Sequence, residues 1–120
     1  HVDLWLVHWP AESRTIGMWE AFAAAQEQGL ALDIGVSNFD ADLLDTVSDA
    51  VGVTPAVNQI EWSPLLFDAR VDAEHHERGV VLEGYSGLKG GVLEEATVRG
   101  IAERLGRTPA QVVLRWHLQH

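Results

Sequence analysis

Short apolar runs and amphipathic stretches alternate along the chain. Val2 to Val7 is a strand-forming run that stops at Trp9-Pro10, where proline ends pairing. Thr15 to Gln28 has helical spacing, with Trp19, Phe22 and Ala23 on one face and Gly29 where a helix closes. Ile34 to Ser37 is a second short strand. Asp40 suits the cap of a helix whose apolar face is Leu43, Leu44 and Val47, and Asp42 favours the positive end of its dipole. Pro55 introduces a third strand, Ala56 to Ile60, and a helix over Asp68 to Arg78 closes at Gly79. Val80 to Tyr85 is the fourth strand, and a glycine-containing loop runs from Gly87 to Gly91. Thr97 to Leu105 is a short helix ending at Gly106. Thr108-Pro109-Ala110-Gln111 then reads as a capping box with proline at N1, opening a helix that carries Val112, Val113, Trp116 and Leu118.

The order is therefore βαβαβαβα. Strand starts near positions 2, 33, 56 and 80 give a repeat of roughly 25–30 residues, the size of one βα unit in a barrel. Strands separated by helices are parallel and need cover on both faces, which admits a doubly wound sheet or part of a (β/α)8 barrel. A doubly wound nucleotide binder carries a glycine-rich phosphate turn after its first strand. Here that strand is followed by His8-Trp9-Pro10-Ala11, with no G-x-G-x-x-G and no P-loop anywhere. Each strand instead ends in polar or aromatic residues, as at the catalytic rim of a barrel. The expected fold class is α/β: a partial (β/α)8 TIM barrel of about four βα units, parallel strands with outer helices, forming a single incomplete barrel segment over residues 1–120.

At 120 residues and 47% hydrophobic, the chain can bury a core. Its formal charge of −10 argues against nucleic-acid and anionic-membrane partners, which need a basic face. It has no cysteine, hence no disulfide, thiolate nucleophile or zinc-thiolate site, and no apolar run of membrane-spanning length. The chain opens on His1, its only methionine is Met18, and no signal peptide is visible. A fragment of a longer, cytoplasmic protein is the expectation.

The strand ends supply the candidate chemistry. His8, beside Trp9, can donate from a neutral imidazole to a substrate oxygen, or it is simply a satisfied histidine at a barrel mouth. Ser37, Asn38 and Gln59 are neutral hydrogen-bonding side chains on adjacent strand ends. They could bind an amide, at about 1 kcal/mol net for each bond. The plainer reading is helix capping by Asn38 and loop solvation by the others. Tyr85 can stack on a flat ring for about 0.5–1.5 kcal/mol beyond burial, or pack on rim neighbours. Glu61 and Glu83 raise a two-carboxylate glycosidase, but Glu83 is expected in the barrel wall or interior and not at the rim. Gly35 to Phe39 lacks the second glycine of a nucleophile elbow. His75 and His76 are adjacent on a helix and are expected to be solvated; no third ligand accompanies them, so no metal site is expected. The acidic excess is spread over helices and reads as a solvated face.

Taken together, the motifs resemble the aldo-keto reductase family along essentially the whole chain. Asp3 to Pro10 resembles that family's fourth strand with its active-site histidine, Ile34 to Phe39 its fifth, Pro55 to Glu61 its sixth and Val81 to Leu88 its seventh. Thr108 to Trp116 is similar to its seventh helix. The resemblance implies a (β/α)8 barrel that reduces aldehydes and ketones with NADPH, less often NADH. By position, it implies that His8 polarises the carbonyl and Trp9 lines the substrate pocket. Ser37, Asn38 and Gln59 would hold the nicotinamide carboxamide. Tyr85 would stack on the ring, and Ser86 and Leu88 would lie along the pyrophosphate. Gly87 stands where the family usually has proline, which implies a looser loop, and the segment after Pro10 is short.

The resemblance places the family's tyrosine proton donor, with its lysine and aspartate partners, in the first three strands and the basic segment that reads the 2′-phosphate after the eighth, and this sequence is expected to contain neither. The expectation is a parent reductase acting on a small-molecule carbonyl, itself monomeric. The isolated chain is expected to be inactive and to dimerise or aggregate through its unclosed sheet edges. The rival reading is a non-catalytic barrel subunit, or a half-barrel assembly module, that binds cofactor without turnover.

Overall fold

A computed structural model describes residues 1–120. Its strands are β1 (Val2–Val7), β2 (Ala31–Ser37), β3 (Val57–Glu61) and β4 (Val81–Tyr85). Its helices are α1 (Thr15–Glu27), α2 (Ala41–Val51), α3 (Ala69–Glu77), α4 (Ala96–Leu105) and α5 (Pro109–His117). The strands form one sheet in the order β1-β2-β3-β4, and β2 runs parallel to both β1 and β3. Strands that follow one another in both sequence and space, each separated by a helix, are what repeated βα units produce. Two short 3-10 turns, Glu12–Arg14 and Val92–Glu94, were not expected from the pattern. The chain divides into two compact units, one of His1–Ile60 with Arg70–Glu83, the other of Glu61–Ala69 with Gly84–His120.

In the first unit, Trp19 and Ala23 of α1, Ile34 and Val36 of β2, and Leu44 and Val47 of α2 make one apolar core. Trp19 is fully buried, and its indole N–H is satisfied by the Val53 carbonyl at 2.8 Å. Gly35 lets the strands approach: a Cβ there would lie 2.6 Å from the Val57 carbonyl and 2.7 Å from a Leu6 methyl. β2 begins at Ala31 and not Ile34, because pairing of Val2 with Ala31 extends the ladder over a stretch that is not uniformly apolar. On β1, Val2, Leu4 and Trp5 remain exposed.

Two expectations are corrected here. Asn38 does not cap α2: Asp40 does, its carboxylate accepting from the Leu43 N–H at 2.9 Å. His75 is not solvated. It is 3% exposed, since Val71 and His75 lie one turn apart on the inward face of α3 and β3 offers a polar partner there. Its neighbour His76 is exposed, as expected.

In the second unit, Val92, Val98 and Val113 form a small core between α4, α5 and the turn before α4. The Thr108–Gln111 capping box is present, with both reciprocal bonds and Pro109 in the first turn. Trp62, Phe67, Trp116 and His120 make an aromatic cluster with centroid spacings of 4.8–6.3 Å. A cavity of about 630 Å³ in this unit is lined by Ile101, Leu105, Arg107, Gln111, Arg115 and Trp116, among others, and by none of the expected site residues.

Candidate active site

The first unit brings together the ends of β1 and β2 and the middle of β3. Register pairs Ser37, the last residue of β2, with Gln59 in the middle of β3, which runs two residues further to Glu61. Ser37 is buried, and its hydroxyl donates to the Gln59 carbonyl at 2.7 Å. The same carbonyl accepts the Asn38 N–H at 3.0 Å. Asn38 adopts a left-handed backbone, φ 63°, a conformation that asparagine tolerates better than most residues. That turn directs its Nδ2 back onto Ser37 Oγ at 2.9 Å and across to the His8 carbonyl at 3.3 Å. One side chain therefore ties the ends of β1 and β2 together. His8 itself is exposed, as is Trp9, and their rings meet edge to face at 6.3 Å.

Alternation sends Asn58 and Gln59 to opposite faces of β3. On the helix-covered face, Asn58 is fully buried. Its Oδ1 accepts the Phe39 N–H at 3.3 Å, while its Nδ2 donates to the Phe39 carbonyl at 2.8 Å. The amide thus stands in for a strand partner of the residue after Asn38. Asn58 Nδ2 also meets His75 Nε2 at 2.9 Å, and His75 Nδ1 lies 2.7 Å from the Val71 carbonyl. A carbonyl can only accept, so Nδ1 holds the proton and Nε2 accepts from Asn58. The sequence pattern marks His75 only as a metal ligand to be set aside and does not mark Asn58 at all. The Val71–His75 spacing was the available signal, but their partner lies on another strand. On the opposite face, Gln59 Nε2 donates to Glu83 Oε1 at 2.6 Å. The sequence suggests Glu83 only as one of two carboxylates; its carboxylate instead holds a neutral amide of the candidate site.

The second unit holds the remaining candidates. Tyr85 ends β4, and its carbonyl accepts the Trp62 N–H at 3.3 Å. Ser86 has a positive φ of 56°, unusual for serine, and its carbonyl accepts the Lys89 N–H at 2.9 Å. This tight turn exposes Leu88 and Lys89. The His117 ring lies over the turn: a Cβ on Gly87 would sit 2.1 Å from His117 Nε2, and one on Gly84 would sit 2.6 Å from its Cε1. Burial holds the His117 imidazole below its ordinary pKa, and Nε2 has no hydrogen-bond partner. No feature of the linear sequence announced this contact, which depends on missing side chains at two positions.

What this arrangement offers chemically is a set of neutral amide and hydroxyl groups on adjacent parallel strands beside a histidine, suited to a planar amide. No group of three or more His, Asp or Glu side chains is arranged to hold a metal. No helix is long and apolar enough to cross a membrane.

Comparison with known proteins gives this geometry a family. Residues 1–100 match the profile of the aldo/keto reductase family. An aldo-keto reductase of Mycolicibacterium smegmatis is 42% identical over 99% of this chain. The 2,5-diketo-D-gluconic acid reductase B of a Corynebacterium strain is 44% identical over 98% of it. In each case the chain spans 44% of the relative's length. A crystal structure of a Gox0644 mutant in complex with NADPH matches 98% of the chain with a TM-score of 0.93 and 42% identity, and again 44% of that protein is covered. The parallel strands and their helices are accordingly a partial (β/α)8 barrel. With most of its length matched by the family profile and by relatives above 40% identity, the chain belongs to the aldo/keto reductase family.

Proposed function

We propose that this chain supplies the nicotinamide-binding half of an NADPH-dependent carbonyl reductase. The observation that carries the reading is the joined cluster of Ser37 and Asn38 at the end of β2 with Gln59 beside them on β3, locked by bonds of 2.7–3.0 Å. A primary amide has one acceptor and two donor sites, and hydroxyl and carboxamide side chains can match both. NADPH, when bound, provides the hydride for a carbonyl carbon. Ser37, Asn38 and Gln59 hold the carboxamide and so set which ring face is offered. His8 donates to the carbonyl oxygen of an aldehyde or ketone, orienting it and favouring negative charge there. Trp9 lines the substrate side, Tyr85 stacks on the ring, and Ser86 and Leu88 lie along the pyrophosphate. The left-handed Ser86 suits that role, because it turns the backbone sharply just past a strand end. The proton donor lies outside these residues, so the chain expressed alone is expected to lack turnover. Further support comes from the match to the Gox0644 mutant crystallised in complex with NADPH.

The test uses the protein expressed from its whole coding sequence. NADPH oxidation with a panel of small aldehydes and ketones should be measurable. Gln59→Leu should raise the NADPH KM by about tenfold, the loss of one well-made amide contact in a desolvated site. His8→Leu should lower kcat by at least about a hundredfold with little change in cofactor affinity. Tight NADPH binding with no turnover on any carbonyl would favour a non-catalytic barrel subunit. Absence of NADPH and NADH binding would overturn the reading altogether.

A further inference from the structure

Glu83 is a charged side chain in direct contact with the amide cluster. It lies on β4 among Val81, Leu82 and Tyr85, in a strand otherwise suited to packing. Its Oε1 accepts from Gln59 Nε2 at 2.6 Å, and both side chains are half-buried. A donor–acceptor distance this short marks a charge-assisted bond, roughly twice as strong as a neutral one. The chemistry also fixes its direction. A carboxylate accepts only, so the amide must turn its NH2 to Glu83 and its oxygen elsewhere. The Gln59 backbone cannot adjust to compensate. Its carbonyl already takes the Ser37 hydroxyl at 2.7 Å and the Asn38 N–H at 3.0 Å. The orientation of the side-chain amide is the only choice left at this residue, and Glu83 makes it.

We infer that Glu83 is a positioning residue that sets the ligand specificity of Gln59. By holding Nε2, it leaves Gln59 to present Oε1, a pure acceptor, so that the site reads an N–H donor on its ligand. This rests on the reading that Ser37, Asn38 and Gln59 hold a nicotinamide carboxamide. It goes further in assigning the discrimination between an amide and an isosteric ketone to a residue that touches neither. With Glu83 absent, the Gln59 amide can rotate and offer Nε2 instead, and a carbonyl-only ligand becomes acceptable.

The experiment compares NADP+ with its acetylpyridine analogue, in which a methyl group replaces the carboxamide NH2. Dissociation constants are measured on the protein expressed from its whole coding sequence. The unsubstituted protein should prefer NADP+ by about tenfold, because the analogue leaves the Gln59 oxygen unpaired. Glu83→Met should cut that preference to below about twofold, chiefly by binding the analogue better. Glu83→Gln, of the same size, lets the paired amides adopt either direction and should give about threefold. A merely structural role would weaken both ligands together and leave their ratio unchanged. Full preference retained in folded Glu83→Gln, or no preference in the unsubstituted protein despite NADP+ binding, would overturn the inference. Failure of the protein to bind NADP+ at all would strike at the nicotinamide reading instead.

Discussion

The two compact units treat buried polarity in opposite ways. In the first, Asn58 and His75 lie deep among apolar neighbours, yet each of their polar atoms has a partner at 2.7–3.3 Å. In the second, Trp62 Nε1 and His117 Nε2 are buried with none. An unmade hydrogen bond costs a buried group about 1–3 kcal/mol, whereas a made one contributes only about 1 kcal/mol net. The first unit thus uses polarity to specify one arrangement of backbone around Asn38. The second tolerates a penalty to seat a histidine against two glycines. This contrast implies that substitutions in the first unit act by destroying satisfied bonds, and substitutions in the second by relieving or aggravating a misfit.

The sharpest way to break the comparison is Asn58→Leu. It strands the Phe39 N–H and carbonyl and His75 Nε2 in one step, for an expected loss of about 2–4 kcal/mol. Urea denaturation should show a lower midpoint at unchanged slope. A loss under about 1 kcal/mol would mean that the network is not what holds this region.

In the second unit, Gly87→Ala should come next, at about 1–3 kcal/mol, because its Cβ would sit 2.1 Å from His117 Nε2 and force the ring to move. Gly87 has no positive φ, so backbone strain is not the cause. His117→Leu should go the other way, gaining about 1 kcal/mol by removing an unpaired buried nitrogen. It should also change the pH response. Burial lowers the folded-state pKa of His117, so the unfolded chain binds the proton more readily. Stability therefore falls as pH drops through the ordinary histidine value of about 6.5, and the fall ends only below the folded-state pKa. In His117→Leu that part of the acid-side slope should vanish. An identical slope in both proteins would remove His117 from the account.

What could be read from residue order divides along the same physical line. Caps and closures are local, and Asp40, Thr108 with Gln111, Gly79 and Gly106 stand where their neighbours imply. Strand order follows from the βα alternation, and the positions of His8, Ser37, Asn38 and Tyr85 at or just past strand ends follow from it in turn, whereas Gln59 sits mid-strand, two residues short of the end of β3. Non-local partners were not legible. Sequence alone places His75 in solvent, because its burial depends on Asn58, seventeen residues back on another element. Asn38 reads as a cap because its side chain reaches His8, thirty residues back, in a contact that no short window contains. His117 was unremarkable in sequence because its seat is made by side chains that Gly84 and Gly87 do not have.

The smallest expected effect concerns a charge pair that belongs to neither pattern. Arg78 donates from Nε and Nη2 to the two carboxylate oxygens of Asp45, both at 2.7 Å, linking the residue after α3 to α2. The hydrogen bond from Arg78 holds the Asp45 carboxyl below its ordinary value. A lowered acid contributes its stability above the unfolded value near 3.8, and that contribution is lost as pH falls toward the folded one. This acid-side loss lies well below the His117 window, so the two can be told apart in one titration. Asp45 is exposed, so water and salt screen the pair heavily. Arg78→Lys removes the two-pronged geometry but keeps the charge. Because the charge is retained and the pair is exposed, it should leave stability almost unchanged at any ionic strength. A loss that persisted in high salt would show that the fork, and not the charge, joins these elements, and the first unit would then depend on satisfied geometry at its surface as it does in its interior.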